Sequence, residues 1–365
     1  MIFPDYKNSI KNISASFSKF LGKPDGDTIK VLDEELAKNY KNVVFIVFDG
    51  MGVDVLNKIA NESIMKKNIV TKVTSVFPST TTNATTTLLT NTLVDKHKYL
   101  AWSMYFKEKN RCIDIYTGLD SYTKESVSDY LNTDTSPYFS KFKTNREVFT
   151  VFPDFKGNSI PTRNKKFANT IEELGYNLVN ICNDFEEKFV YCYCTEPDST
   201  MHEFGVTSKE AIQVLDSINT MLTTLKQNTT DTLFVLTADH GHIDVKGYID
   251  MYNETELLEC LDRPLSMESR AISFKLKPNM EQKFLNIMKK FEKDFILIKA
   301  DTLIEKGVFG NVDNELKEFL GDYIGVGTNT FKIARFNPDK FMFKGHHTAL
   351  TEEEMYVPLI MIKNK

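Results

Sequence analysis

The chain has few cysteines for its length, and they are not arranged as a framework. Cys112, Cys182, Cys192, Cys194 and Cys260 are five among 365 residues, an odd count. Their spacing matches neither a disulfide scaffold nor a zinc finger, so small buried hydrophobes in a reducing compartment are the expected role. No stretch approaches eighteen consecutive apolar residues, which excludes a membrane-spanning helix. The opening M-I-F-P-D-Y-K-N-S-I-K has no basic segment followed by an apolar one. A cytoplasmic protein without a signal peptide is therefore expected. There is no excess of positive charge either: 45 basic against 50 acidic residues leave a net charge of −5. That argues against nucleic acid as the main partner, and any anionic substrate must be drawn by a local source such as bound metal. Internal repeats and low-complexity tails are also missing.

What is present is an ordinary globular composition, 41% hydrophobic and 26% charged, enough for one large core with insertions. Short apolar runs at 43–48, 189–194, 232–237 and 357–362 are continuous rather than alternating. Such runs mark strands buried on both faces, as in a parallel sheet. Helical patterns at 53–66, 81–90, 164–174 and 207–227 separate them. In the last, Ile212, Leu215, Ile218 and Leu222 recur at helical spacing behind a possible N-cap at Ser208. The expected fold is α/β: a doubly wound, mostly parallel sheet with helices on both faces. Residues 1–252 and 336–365 are expected to form this core, with a loop-rich insertion at 107–160. Lys- and Glu-rich segments at 253–335 read as an inserted α+β cap lobe.

In an open parallel sheet, ligands bind beyond the carboxyl ends of the strands. Asp49 follows the first apolar run. Glu196, Asp198 and His202 follow the second, and Asp239, His240 and His242 the third. His346 and His347 precede the last. Five of six histidines thus lie in three loops, leaving only His97 elsewhere. Any one group has a plain alternative. Asp49-Gly50 can be a simple turn, Asp198 and His202 a surface pair, and His346-His347 a solvated loop. Together, carboxylate and imidazole from four places make the donor set of a binuclear metal centre.

These residues resemble the alkaline phosphatase superfamily, in particular its type I phosphodiesterase/nucleotide pyrophosphatase-like branch. The segments carrying the resemblance are F-D-G-M-G, V-F-P-S-T-T-T, E-P-D-S-T-M-H-E-F-G, T-A-D-H-G-H and G-H-H-T, in that order. They cover about 42–100, 187–245 and 340–365. The resemblance implies an alkaline phosphatase-like fold and two divalent metal ions, zinc first with manganese as the alternative. Asp198, His202 and His347 would hold one ion, with His346 as the alternative to His347. Asp49, Asp239 and His240 would hold the other, together with the hydroxyl of the nucleophile.

The nucleophile falls in the stretch from Val76 to Asn91, which has seven threonines among sixteen residues. Matching Phe77-Pro78 to the family's F-P makes the catalytic residue Thr81, and Thr90 then takes the T of a T-G pair. The chain departs from the pattern twice. Asn91 stands in place of Gly, and the Asn that contacts substrate phosphate in nucleotide-cleaving members meets Ala84, with Asn83 one residue earlier. Taking Asn83 as the substrate-binding residue and counting back three picks Thr80 instead. A Thr hydroxyl is a poor nucleophile until a divalent ion lowers its pKa, and a helix N-terminus adds favourable dipoles. Thr85, Thr86 and Thr87 read as structural, bonding back to backbone carbonyls. His242 and Glu196 orient a ligand or finish a turn, while Arg270 and Arg163 read as surface ion-pair partners, with substrate contact as the alternative. The implied activity is hydrolysis of a small phosphodiester, pyrophosphate or other phosphate/phosphonate ester through a covalent threonine intermediate. The alternatives are a phosphomutase of the same superfamily and an inactive ligand-binding relative.

Overall fold

A computed structural model describes residues 1–157, 160–251, 253–334 and 342–365. Seven strands form the core sheet: β1 (Asn42–Phe48), β2 (Ile69–Thr74), β3 (Glu147–Phe152), β4 (Asn164–Phe167), β5 (Lys188–Cys194), β6 (Thr232–Thr237) and β7 (Tyr356–Asn364). Their spatial order is β2-β7-β6-β1-β5-β3-β4. The run from β6 to β4 is parallel throughout. All seven residues of β1 and all six of β6 are buried, so both faces of the sheet are covered. Phe17 of α1 (Ile10–Phe20) lies 4.5 Å from the Phe45 ring and 5.4 Å from that of Phe189. The threonine-rich segment forms α2 (Thr81–Thr90), which packs on α1. Farther along, α3 (Ile171–Cys182) packs against α5 (Lys209–Asn228), and α4 (Asp198–Phe204) lies between them in sequence. Ser208 caps α5, accepting the Ala211 N–H at 3.1 Å.

The sheet is mostly parallel, as expected, and its last strand is the exception. β7 runs antiparallel to both β6 and β2. Its continuous apolarity reports coverage on both faces, which direction does not change. Direction matters for the site, because an antiparallel strand starts where its neighbours end. The loop before β7 therefore reaches the carboxyl edge of β1, β5 and β6.

Two helical readings also change. Residues 53–66 hold only two single turns, Val53–Leu56 and Ile64–Lys67. Between them lies the polar run Ala60-Asn61-Glu62-Ser63, and Ser63 caps the second turn through the Lys66 N–H at 3.1 Å. Residues 164–174 begin as β4, an edge strand whose lysines suit a sheet margin. The helix starts only at Ile171, capped by Thr170.

The segment 107–160 contributes strands to two sheets, with a mostly irregular stretch at 121–146 between them. Strands Ser103–Phe106, Arg111–Asp114 and Leu119–Asp120 join a second, antiparallel seven-stranded sheet with Ser266–Met267, Ala271–Phe274, Phe295–Lys299 and Tyr323–Gly327. Its later part supplies β3 to the core sheet. The cap sheet thus draws on two distant stretches of chain. Short runs like R-C-I-D are too weakly patterned to assign to a sheet from sequence. Gly247–Asp250 pairs with Phe331–Ala334 where the chain enters and leaves the cap. The expected boundaries at 252 and 335–336 lie outside the described residues.

Arg270 is fully buried rather than on the surface. Its Nε and Nη2 donate to the two carboxylate oxygens of Glu354 at 2.8 and 2.9 Å, and its Nη1 donates to the carbonyls of Asn329 and Phe331. Glu354 also accepts the Ala349 N–H at 2.9 Å and the Thr351 hydroxyl at 2.8 Å. Arg163, by contrast, is exposed. Removing one partner of a buried, satisfied pair strands the other charge in low dielectric, at about 3–5 kcal/mol. Arg270→Ala should lower unfolding free energy by about that amount in urea titrations, and Arg270→Met with Glu354→Met should recover much of it. A single variant within about 0.5 kcal/mol of the parent would refute this role.

Candidate metal centre and nucleophile

In-register pairing of β1 with β5 and β6 sets their carboxyl ends side by side. The backbone then locks the loops together. The Asp49 N–H donates to the Cys194 carbonyl at 2.9 Å and the Asp198 N–H to the Asp49 carbonyl at 3.1 Å. Gly50, at φ +70°, donates its N–H to Asp239 Oδ1 at 3.1 Å. A Cβ there would stand 2.9 Å from the Asp198 Cβ. The Asp-Gly pair is thus more than a turn: the glycine lets two acidic loops close on each other.

Two groups of donors result. Asp49, Asp239 and His240 form one; Asp198, His202, His242 and His347 form the other. In the first, His240 Nε2 lies 3.2 Å from Asp49 Oδ1 and 3.4 Å from Asp239 Oδ2. In the second, Asp198 Oδ2 lies 3.3 Å from His202 Nε2, and its Oδ1 lies 3.2 Å from His242 Nε2 and 3.6 Å from His347 Nε2. The groups adjoin through the stacked rings of His240 and His347, 3.6 Å between centroids.

Three of these imidazoles are oriented alike. His202 Nδ1 meets the Gly345 carbonyl at 2.9 Å, His240 Nδ1 the Gly241 carbonyl at 3.0 Å, and His347 Nδ1 the Ser79 carbonyl at 2.9 Å. Each carbonyl takes an Nδ1–H and leaves the Nε2 lone pair facing the cluster, as metal-binding histidines require. Asp198 Oδ1, Asp239 Oδ2 and His242 Nε2 are buried with no hydrogen-bond partner among the described residues. Buried polar atoms left so are costly unless a ligand satisfies them. The donor set and these orphaned atoms fit divalent cations.

Electrostatics point the same way. Burial, with Asp49 alongside, pushes the Asp239 carboxyl up to about 8. Burial works to lower His240, but the Asp239 and Asp49 carboxylates hold it up to about 10. Burial and cationic neighbours push His242 and His347 well below the ordinary imidazole range. Those two rings are neutral and ready to donate lone pairs.

Thr81 is the first residue of α2. Its Oγ1 lies 3.2 Å from His240 Nε2 and 3.5 Å from Asp49 Oδ1. The Thr80 hydroxyl turns away and donates to Glu268 Oε1 at 2.8 Å. Four other threonines of the helix make local bonds. Thr85, Thr86 and Thr90 donate to the carbonyls of Thr81, Thr82 and Thr86 at 2.7–2.8 Å; Thr87 meets His97 Nε2 at 3.1 Å. Asn91 adopts φ +56° at the helix end, the left-handed geometry for which the related pattern uses Gly.

Asn83 lies in the first turn of α2. It is buried, and its Nδ2 donates to the carbonyls of Phe77 and Pro78 at 3.0 and 3.4 Å. These bonds brace the loop that carries Thr81, while the Asn83 Oδ1 is buried with no hydrogen-bond partner among the described residues. His346 pairs with Ile243, its Nδ1 engages the backbone of His347, and it joins neither donor group. Glu196 accepts the Thr200 N–H at 3.2 Å and also stays outside. Two residues were undervalued from sequence. His242 stands among the donors, a place signalled only by its D-H-G-H context. Tyr193 donates its hydroxyl to Asp49 Oδ2. Nothing in the apolar run F-V-Y-C-Y-C distinguishes that tyrosine.

The fold recurs in solved structures. Murine ectonucleotide pyrophosphatase/phosphodiesterase 5 superposes with a TM-score of 0.65 at 19% identity, covering 87% of each chain. An inactive Thr-to-Ala variant of it in complex with AMP gives 0.64 at 17%, again over 87% of each chain. Phosphonoacetate hydrolase from Sinorhizobium meliloti in complex with phosphonoformate gives 0.62 at 13%, covering 88% of this chain and 91% of its own. No curated protein matches the sequence. Among the described residues no helix is long and apolar enough to cross a membrane. The model of the type I phosphodiesterase / nucleotide pyrophosphatase family matches residues 43–314 of the 365, from β1 through the donors of both groups except His347 into the cap. With most of its length matched, and with phosphoester-bond hydrolysis as that family's chemistry, the chain belongs to the type I phosphodiesterase / nucleotide pyrophosphatase family.

Proposed function

We propose that this chain hydrolyses small phosphodiester, pyrophosphate or phosphonate esters through a covalent Thr81 intermediate, with two divalent cations, zinc best matching the donors. The observation that carries the reading is the Thr81 hydroxyl set at a helix start, 3.2 Å from His240 Nε2 and 3.5 Å from Asp49 Oδ1. Asp49, Asp239 and His240 would hold the ion beside the nucleophile; Asp198, His202 and His347 would hold the other. Bound there, the ions supply Lewis acidity and neutralise phosphoryl charge. The chain's own residues do the rest. Tyr193 fixes the Asp49 carboxylate and the Ser79 carbonyl fixes the His347 ring, while the first-turn N–H groups of α2 would favour an anionic oxygen at the helix start. Asn83 holds the loop that aims Thr81. The inactive Thr-to-Ala murine neighbour is in keeping with a threonine nucleophile, and its AMP complex with a nucleotide-sized ligand. All five cysteines are free, in keeping with a reducing, cytoplasmic setting.

Turnover of bis-nitrophenyl phosphate, a nitrophenyl nucleotide ester and nitrophenyl phosphate tests this reading with Zn²⁺ or Mn²⁺. Thr81→Ala should cost at least about 10³-fold in kcat, as expected for loss of a covalent nucleophile, while still binding metal. Thr80→Ala should stay within about tenfold, since its hydroxyl serves Glu268. The reverse pattern would move the nucleophile to Thr80. Sugar-phosphate isomerisation without ester cleavage would make the protein a mutase.

Metal uptake should also depend on pH in a stated direction. Metal-free, Asp239 keeps its proton to about pH 8 and His240 to about pH 10. Cations compete with those protons, so affinity should rise with pH through about 8, and binding at pH 7 should release protons. Calorimetry in buffers of different ionisation enthalpy reads that release. Zero released protons would contradict the assignment of these two ligands.

A further inference from the structure

Resting on the hydrolase reading above, we propose that Lys156 determines specificity. Its ammonium takes an anionic group, carboxylate or phosphate, carried by the part of the substrate that stays on phosphorus when Thr81 attacks.

Lys156 lies in the single turn Asp154–Gly157 that follows β3. Because β3 runs parallel to β5, this turn opens at the same carboxyl edge as the donor loops, where a sheet of this kind binds ligands. Four neutral contacts place the half-buried side chain. Its Nζ donates to Thr85 Oγ1 at 3.0 Å and lies 3.5 Å from the Tyr116 hydroxyl. It also stands 4.1 Å from the centroid of the Tyr193 ring and 4.7 Å from that of Tyr116. Hydroxyls and ring faces orient an ammonium without cancelling its charge.

Two of these partners lead back to Thr81. Thr85 sits one turn further along α2, about 5.4 Å along the axis, and donates to the Thr81 carbonyl at 2.7 Å. Tyr193 donates to Asp49 Oδ2, and the Oδ1 of that carboxylate lies 3.5 Å from Thr81 Oγ1. The ammonium is thus held beside the first turn of α2, on the Asp49 side. The second donor group adjoins across the stacked rings of His240 and His347. In an in-line displacement the leaving oxygen departs opposite the attacking one, toward the second ion. Lys156 is therefore placed for the substituent that remains on phosphorus.

An apolar wall accompanies the cation. The Tyr116 ring lies 6.0 Å from that of Trp102 and 6.3 Å from that of Tyr99. The Trp102 N–H donates at 2.6 Å to Glu268 Oε1, the oxygen that also receives the Thr80 hydroxyl. The wall is thereby registered to the residue before Thr81. Trp102 remains 37% exposed, so an organic arm can lie against it and Tyr116 and end in a charge at Lys156.

The test uses the full chain loaded with Zn²⁺ or Mn²⁺ and three nitrophenyl phosphonates. All release the same nitrophenolate, and the retained group is propyl, carboxyethyl or phosphonoethyl. The parent should favour at least one anionic arm over propyl by about 10- to 100-fold in kcat/KM, the worth of a charge-assisted hydrogen bond. The larger of the two ratios identifies the group as carboxylate or phosphate. That preference should fall as salt rises, a readout that needs no variant. Lys156→Met should erase it, Lys156→Glu should reverse it, and Lys156→Arg should keep most of it. A lysine that only supported Tyr193 or Thr85 would move all three substrates together and leave the ratios alone. A parent preference short of about threefold, or one that survives in Lys156→Met, would overturn this assignment and leave the hydrolase reading intact. A parent that cleaves none of the three, nor the esters named earlier, would overturn both.

Discussion

Glu354 holds this site together without belonging to it. Its carboxylate receives Arg270 from the cap sheet and the Ala349 N–H from the His347 loop, and its carbonyl receives the Gly241 N–H from the Asp239–His240 loop. Three segments far apart in sequence are thereby referred to one buried residue. In a low-dielectric interior such a fully satisfied pair specifies geometry more than it adds stability. The loop before Thr81 is tied to the same assembly: Ser79 bridges Thr348, and Thr80 reaches the cap residue Glu268. Cap and core together thus hold the Thr81 hydroxyl against Asp49 and His240.

Crowding of like charge is the other side of that order. Asp49, Asp198 and Asp239 are all buried at adjoining strand ends. Without cations the cluster keeps protons on Asp239 and His240, which is how a protein avoids several bare charges in low dielectric. The imidazoles of His242 and His347 stay neutral for the complementary reason. A cation entering such a cluster must displace those protons, so ion uptake weakens as the pH falls.

How much of this was legible in the sequence differs by level. Strands buried on both faces announce themselves by unbroken apolarity, so β1, β5, β6 and β7 and the polar residues at their ends were readable. Strand direction was not, because covered strands look alike whichever way they run. Yet direction explains why a histidine pair before the last strand lies near carboxylates after three others. The cap was seen only in part, since its short strands at 103–120 carry too little pattern to reveal a partner about 150 residues away. The resemblance alone points Asn83 toward substrate, and its bonds to the Phe77 and Pro78 carbonyls cannot be read from sequence. Asn91 shows the opposite case: a departure from pattern that preserves its physics, because asparagine tolerates the left-handed backbone that glycine supplies elsewhere.

The placement of β7 has a consequence for how this molecule comes into being. The final residues of the chain do not trim the sheet but fill a gap inside it, between β2 and β6. During synthesis β2 has no sheet partner and β6 presents an open edge until those residues emerge. Open edges invite pairing with the wrong chain. A chain interrupted before Tyr356 is therefore not a slightly shorter hydrolase. It is a core split in two, without the strand that seats the His347 loop, and its fate belongs to quality control rather than to catalysis.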